Sequence, residues 1–552
     1  MKEASFPKNC WEEPFLRRLL FVPLALALSS CAVGPDYHRP AVETPLAFKW
    51  GNSPNADKPS TGQDNVSIIE QQTASGKRLE GIRWKKALPQ DAIAKGEWWK
   101  IFKDPLLDQL EAQLLVGNQQ LKGIYAQVVE ARSLVTQSLS NFFPHIGFYP
   151  FYSRLRFSQN QPFFFLQHPV VSPVFNPAGT QQIGFTQFQV GLPIYWNEWA
   201  LPLAASYEAD VWGRYRRELE AAKASAQATQ AAYESLLLTL HAELATDYFS
   251  IRYIDAQLAV YRYMIDVFRD NLYLVQSRYD GGLANELDLA RAKTDLANLQ
   301  SQYIGLENTR AQIENAIAVL LGKPASSVKI ASNPISGSPP VLPEYLPSDL
   351  LQRRPDVAQA ERQMAAANAD IGVALGAFFP SVNLLASVGL LSSTVEMLFN
   401  GSSRFWTLGP FVSLPIFEGG QLVAGLQQAK AAYQAAVANY RQGVLVAFQD
   451  VENALAALKI LEAQQEAQQR TVAFAKDQFD VSLVRFKEGL VNYIEVDTTE
   501  QVWLNAQLLN LQILGERFIA TVALIRALGG GWEDYSMRPV GANPKVKPSS
   551  RS

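Results

Sequence analysis

The sequence predicts a mainly α-helical, internally duplicated fold with a small β part, in which long helical hairpins alternate with pairs of short strands. Three observations predict it. The first is a repeat: around Arg278 the chain reads RYDGGLAN and around Arg485 it reads RFKEGLVN, an offset of 485 − 278 = 207. The same offset carries Lys223 onto Lys430, Tyr233 onto Tyr440, Asn298 onto Asn505 and Gly322 onto Gly529. About a hundred residues therefore repeat without insertion or deletion, which marks a duplicated structural unit. The second is the lack of proline from Gly213 to Lys323 and from Gly419 to Leu528, in stretches rich in the helix formers Ala, Gln and Leu. The third is a switch, after each of two shorter helical stretches, to apolar–polar alternation of period two.

The N-terminus is a targeting segment. Arg17 and Arg18 precede an apolar run, Leu19 to Leu28, which ends in Ser29, Ser30 and Cys31. The run is too short to span a bilayer and fits a signal peptide over residues 1–30. Leu-Ser-Ser-Cys resembles a bacterial lipobox, which implies cleavage before Cys31 and a covalent lipid on it; the alternative is ordinary secretory cleavage that leaves Cys31 free. With Ala32 next, the sorting pattern resembles that of an outer-membrane lipoprotein. No later run of 18 apolar residues occurs, so no transmembrane helix is expected. Cys10 and Cys31 are the only cysteines, which excludes a disulfide framework. His38, His145, His168 and His241 lack ligand spacing, so no metal site is expected. A net charge of −3 with no basic patch gives no reason to expect nucleic acid.

The elements follow in order. Residues 31–105 form an N-terminal extension, irregular and Pro/Gly-rich at first, with a flexible insertion at 51–78. In GEWWKIFKDPLLDQL, Trp98, Trp99 and Phe102 share a helical face, and Asp104-Pro105 opens the next helix. Residues 106–323 are the first repeat. Helical spacing runs from Leu106 to Ser140. Then IGFYPFYSRLRFS alternates Tyr149, Phe151, Leu155 and Phe157 against Tyr152, Arg154, Arg156 and Ser158, a greasy face and a polar one. A Pro- and Phe-rich loop covers about 162–182. Leu203 to Val211 alternates again, with Leu203, Ala205, Tyr207 and Ala209 opposite Ser206, Glu208 and Asp210. A long helix runs from Gly213 to Tyr279, breaks at Gly282 and returns from Glu286 to Leu321. A linker spans 324–347. The second repeat, 348–532, replays this order: a helix from Leu350 to Ala377, strands at Val382–Leu390 and about Phe405–Phe417, and long arms at Gly419–Phe486 and Tyr493–Leu528. Residues 533–552 are expected to be a disordered tail.

Each repeat thus carries two strands, four per chain. Four strands do not close a barrel, and a sheet in lipid must be closed. Three chains pooling their strands would give twelve, an even number within the known range. The helical hairpins must likewise bury their Ala-rich stripes against neighbours. A ring of helices around a lumen does this, and so does a closed coiled-coil bundle without one.

The run LLQRRPDVAQAERQMAAANADIGVALGAFFPSVNLLASVGL resembles the signature of the outer membrane factor family, the TolC-like group, in its NodT-type lipoprotein branch. CAVGPDY, WWKIFKDPLLDQL, YEADVWGRYRRELEAAKA and LGPFVSLPIFEGGQLVAGL resemble that family as well, so the likeness covers Cys31 to about Trp532. The resemblance implies a homotrimer with a 12-stranded outer-membrane β-barrel, a periplasmic α-helical tunnel and an equatorial belt. It implies a passive exit duct for drugs or other solutes, fed by an inner-membrane pump, of RND or similar type, through a periplasmic adaptor. The competing reading is a structural or adhesive coiled-coil lipoprotein. No catalytic constellation, phosphate loop or cofactor motif is visible, and no enzyme activity is expected.

The resemblance also assigns the repeated breaks to the periplasmic tips, where the tunnel closes and the adaptor docks. One tip comprises Arg278, Tyr279, Gly282, Leu283, Ala284 and Asn285; the other Arg485, Phe486, Gly489, Leu490, Val491 and Asn492. Glycine permits the turn, and exposed Leu and Val would offer apolar contact. Glu495 matches a lumen-facing acidic position at the family's constriction, where three copies would make a cation-favouring ring. Leu287 is read as its counterpart in the first repeat, leaving three charges per ring, and Asp497 is a weaker candidate. Phe486 replaces the tyrosine usual at the family's gate, so a hydroxyl-mediated lock is absent there.

Overall fold

The computed structural model describes residues 32–40, 48–50, 96–156, 171–175, 181–185, 195–340 and 353–530. Cys31, the 51–78 stretch and the residues after Trp532 lie outside them. The chain divides into two compact units, one built from residues up to Pro35, Val135–Glu220 and Ala369–Ala429, the other from Asp36–Leu134, Ala221–Asn368 and Lys430 onward.

The first unit holds the strands β1 (His145–Phe148), β2 (Phe151–Arg156), β3 (Val171–Phe175), β4 (Gln181–Phe185), β5 (Tyr195–Ala209), β6 (Ser381–Ser392) and β7 (Arg404–Ser413). The main sheet is antiparallel in the order β1-β5-β6-β7, with β2 continuing β1 along β5. β1 and β2 are one strand interrupted at Pro150, which has no N–H for the ladder. The sheet therefore has the four strand positions expected of one chain. β3 and β4 form a separate hairpin inside the stretch read as a loop, without a counterpart in the second repeat. β5 starts at Tyr195, eight residues before the alternation at Leu203. Its Pro202 faces Gly389 on β6, where an added Cβ would lie 2.8 Å from the Pro202 Cα, so the close approach requires glycine.

Register settles the two faces, because paired residues point the same way. Leu203 pairs with Phe148 and Val388, Ala205 with Ile146 and Ala386, Tyr207 with Leu384. Leu384, Ala386 and Val388 then pair with Pro410, Leu408 and Trp406. This face is apolar. The opposite face is mixed: it carries the polar Ser153, Glu198, Ser206, Asn383, Ser387 and Thr407 beside Leu385, Leu391, Phe405 and Phe411. The faces read from β5 and β6 hold. The face read from β2 is reversed: Phe151 and Leu155 lie on the mixed side with Glu198, whereas Tyr152, Arg154 and Arg156 lie on the apolar side with Trp199. Local alternation reports that two faces exist, and only cross-strand pairing says which one joins the neighbour's apolar side.

The helices are α1 (Pro105–Gly117), α2 (Gln119–Ser140), α3 (Arg214–Asp280), α4 (Glu286–Leu320), α5 (Pro355–Gly376), α6 (Gln421–Lys487) and α7 (Tyr493–Ala527). α3 and α6 each have 67 residues, and α4 and α7 each have 35. A 67-residue helix extends about 100 Å. Trp98–Phe102 is a short 3-10 turn, and the Asp104 side chain caps α1 by accepting from the Leu106 and Leu107 amides. The helix expected from Leu106 to Ser140 is broken at Asn118. A Cβ on Gly117 would lie 2.0 Å from the Leu321 carbonyl oxygen, and one on Gly322 2.1 Å from the Gly117 oxygen. At this crossing Asn118 donates to Leu320 O at 2.8 Å and accepts from Leu121 N at 3.0 Å, closing one helix end and opening the next.

α7 has the length and hydropathy of a membrane-crossing helix, with a mean hydropathy of 1.5 over its most apolar window, half of it buried within the chain. This refines the expectation drawn from unbroken apolar runs. α7 buries residues from Tyr493 to Ala527, including Glu500 and Thr521, which is the pattern of a core helix. One core groups Met264, Phe268, Val275, Leu289, Leu299, Phe479, Phe486, Val496 and Trp503, drawn from α3, α4, α6 and α7. Another packs Trp98, Trp99, Leu107 and Leu114 on Leu244, Tyr248 and Ile317.

Candidate functional site at the hairpin tips

Both tips end in the same hydrogen-bond pattern. Leu283 N donates to Arg278 O at 2.7 Å and Gly282 N to Tyr279 O at 2.9 Å; Leu490 N donates to Arg485 O at 2.9 Å and Gly489 N to Phe486 O at 3.0 Å. This is the Schellman closure, which needs a left-handed residue, and Gly282 and Gly489 have φ of +73° and +77°. Leu283 and Leu490 are 83% and 70% exposed. Tyr279 is exposed as well, whereas Phe486 is buried. Val491, expected to be exposed, is partly buried against the core beside Phe486. Asn285 caps α4 by accepting from Asp288 N at 2.8 Å, while Asn492 makes no side-chain cap on α7. Ala284 is half-buried.

The two tip arginines act differently. Arg278 reaches across to the second hairpin. Its guanidinium lies 4.2 Å from the centroid of the Phe486 ring and donates to Phe486 O at 2.8 Å and Lys487 O at 3.2 Å. A cation there adds a donor to the last carbonyls of α6 and complements its dipole. Arg485 stays within its own hairpin and pairs with Glu495 at 2.8 Å, both groups being well exposed. Glu495 is thus neutralised by a neighbour within the chain. Counted at the 207-residue offset, its counterpart in the first repeat is Asp288 rather than Leu287, so an acid stands at this place in both copies.

Behind the tip lies a group that spacing alone did not single out. Asp497 and Glu500, one helical turn apart on α7, face inward with Val496 and Trp503. Glu500 is fully buried; one oxygen accepts from Asn271 Nδ2 at 3.0 Å, and Oε1 meets no donor among the described residues. Burial pushes its carboxyl up to about 8. Burial, followed by the neighbouring Asp497 carboxyl, pushes Asp295 up to about 6. Arg291 approaches Asp497 at 3.9 Å, and the buried Tyr493 hydroxyl borders the group without a partner among the described residues. Arg291 serves the Asp295 and Asp497 side of this group and Asn271 the Glu500 side, so burial leaves the neutral, protonated forms of Glu500 and Asp295 favoured. The signal was present as Asp and Glu at i, i+3 on the stripe of Trp503, but an exposed polar face gives the same spacing.

The geometry describes a duplicated pair of hairpins with matched tips and a strand unit with one largely apolar face and one face of mixed polarity. The sequence profile of the outer membrane efflux protein family matches residues 110–323 and 346–530. The solvent efflux pump outer membrane protein SrpC of Pseudomonas putida is 31% identical over 510 residues, covering 92% of this chain and 97% of SrpC. The cation efflux system protein CusC of Escherichia coli is 27% identical over 517 residues, covering 94% of this chain and 99% of CusC. Among solved structures, the outer-membrane channel OprN superimposes with a TM-score of 0.72 at 27% identity, over 91% of this chain and all of OprN. Crystal structures of CusC give a TM-score of 0.70 at 25% identity over 91% of this chain. Matched over both repeats and along nearly its whole length, this chain belongs to the outer membrane efflux protein family and is an outer-membrane channel component of an efflux system.

Proposed function

We propose that three copies of this chain close into one duct, with a 12-stranded barrel in the outer membrane and the α3–α4 and α6–α7 hairpins ringed around a lumen. The observation that carries this reading is the open four-stranded sheet with one largely apolar face and one face of mixed polarity. An open sheet leaves ladder groups unpaired at β1/β2 and at β7, and lipid does not satisfy them. The 15-residue β5, at ~3.3 Å per residue and a tilt of ~45°, covers about 33 Å along the membrane normal, enough for the ~30 Å hydrocarbon core. The repeats at 106–323 and 348–532 would each contribute one strand pair and one hairpin.

In this duct the tips are the docking surface for a periplasmic adaptor, which couples the channel to an inner-membrane pump. Exposed Leu283, Tyr279 and Leu490 supply apolar contact, and Arg278, Arg485 and Glu495 supply charge. The cargo is a drug, solvent or other solute; relatives carry names for toluene, solvent and cation efflux. Three Glu495 side chains at the tip would favour cations once Arg485 releases them. Cys31 carries the lipid anchor. What supports this is the position of the next residues: Val33 N donates to Trp212 O at 3.0 Å, and Ala32 lies against Gly213, where β5 has just ended. A lipid on the preceding residue would start from that end of the sheet.

Single-channel conductance of the purified protein in a planar bilayer tests the duct, comparing wild type with Glu495→Ala. A small cation-selective conductance whose selectivity falls in the variant supports the acidic constriction. Conductance with unchanged selectivity moves the constriction elsewhere, and an inserted protein that stays silent after removal of the tip loops is a solid bundle. Lipidation is checked by the mass of the mature N-terminal peptide.

A further inference from the structure

The apolar face of the main sheet is not uniform along its strands. All four strand positions meet helices at one end, near His145, Ala209, Ser381 and Ser413. At the other end, on the apolar face, stand Arg154 and Arg156, opposite Asn197 and Tyr195. The two guanidiniums lie 5.1 and 5.7 Å from the centroid of the Tyr195 ring. One step toward the helices, the Tyr152 and Trp199 rings meet at a tilt of 36° with centroids 4.4 Å apart. The face continues with Leu201, Leu203 and Ala205 on β5 and with Phe148 and Ile146 on β1. β7 repeats the order on the far edge, with Arg404, then Trp406, then Leu408. Trp406 is 75% exposed. Cation outermost, aromatic next and aliphatic innermost is the sequence of environments a strand meets on leaving hydrocarbon for the headgroup layer.

Among the described residues, no carboxylate meets Arg154 or Arg156. The acid of that region, Glu198, pairs with Ser153 on the mixed face. Two cations two residues apart on one face repel each other. Their contacts to the Tyr195 ring fix where they sit, and among the described residues their N–H groups meet no acceptor. A phosphate matches that need, since it accepts bidentate, charge-assisted hydrogen bonds from more than one guanidinium. Water alone would not call for an adjoining aromatic shelf and apolar surface, whereas the acyl chains of a lipid fill both.

We propose that the Arg154–Tyr195–Arg156 cluster on the apolar face of the sheet binds the anionic phosphate headgroup of a lipid in the outward leaflet, whose chains lie along Tyr152, Trp199 and Leu201. The site rests on the reading that the sheet spans the outer membrane with its helix-bearing end toward the periplasm.

The test is native mass spectrometry of the full chain, extracted and supplied with either diphosphorylated lipid A or phosphatidylcholine. Wild type is expected to retain lipid A in preference to phosphatidylcholine. The double variant Arg154→Gln, Arg156→Gln should retain about tenfold less lipid A. Arg441→Gln, an exposed position on helix α6, should retain as much as wild type. Arg154→Lys with Arg156→Lys should recover part of the loss, because charge alone restores attraction without the bidentate geometry. Equal retention by wild type and the Gln double variant, or equal retention of both lipids by wild type, overturns the site. Conductance recorded on the same preparations separates the two readings. A conducting wild type without lipid preference loses only the site, and a protein that neither inserts nor conducts loses the spanning sheet and the site with it.

Discussion

The first and second hairpins have identical arm lengths, 67 and 35 residues, and identical turn chemistry, yet they use their sides differently. α7 has buried residues along its length, whereas α4 buries Leu289, Ala292 and Leu299 near one end and Ile317, Ala318 and Leu320 at the other. Trp503 is buried and stacked on Phe479 at 5.2 Å; at its counterpart, Leu296 is only partly buried. Glu500 lies in the core, and its counterpart Lys293 is exposed. Arg278 clamps the opposite hairpin and Arg485 its own Glu495. Duplication preserved the backbone device, and the side chains then diverged to make one arm the core of the chain and leave the other for neighbours. The exposed Leu287, Ile304 and Val319 on α4 are the apolar surface such neighbours would cover.

The contrast can be broken most strongly at the crossing glycines. Gly322→Ala forces a Cβ into the Gly117 carbonyl at positive φ and should cost at least about 3 kcal/mol or block assembly. Its counterpart Gly529→Ala meets Arg353 backbone atoms at 3.0 Å and should cost about 2 kcal/mol, so thermal denaturation of the pair ranks the two crossings. The next difference is between the arms. Trp503→Ala should lose about 3–5 kcal/mol and Leu296→Ala about 1–2, and equal losses would mean that α4 is as much a core helix as α7.

At the tips, Arg278→Ala removes two charge-assisted carbonyl contacts and a ring contact, for about 1–2 kcal/mol. Faster amide exchange at Gly489 and Leu490 and a larger resting conductance should accompany it. Arg485→Ala breaks an exposed pair and should change stability by less than about 1 kcal/mol.

The effect that depends most on pH, and the most specific, is at Glu500. Its folded pKa, about 8, lies above the ordinary 4.5. Between these values the folded state holds a proton that the unfolded state has released, so stability falls as pH rises through this window and is flat below it. Glu500→Gln should abolish that slope, raising the melting temperature at pH 8 and leaving it nearly unchanged at pH 4. An unaltered pH profile in the variant would place the slope on Asp295.

Much of the fold was legible because its signals are local. Proline-free, Ala- and Gln-rich runs gave arm boundaries within two residues of those observed, since helix hydrogen bonds close within four residues. Gly282 and Gly489 marked the turns because a left-handed cap excludes most side chains. The break at Asn118 was not legible, because its cause is the Leu321 carbonyl, some two hundred residues away. The β3–β4 hairpin lay hidden in a Pro- and Phe-rich stretch without alternation.

By itself the sequence determined the duplication, the lengths of the arms, the chemistry of their ends and the presence of two faces on each strand, all set by neighbours within a few residues. Only the tertiary structure decided which face of β2 joins the apolar side, where Arg278 and Arg485 spend their charge, and that Asp497 and Glu500 point inward. Those outcomes depend on pairing register and on helix packing, where the partner is distant along the chain and no local spacing identifies it.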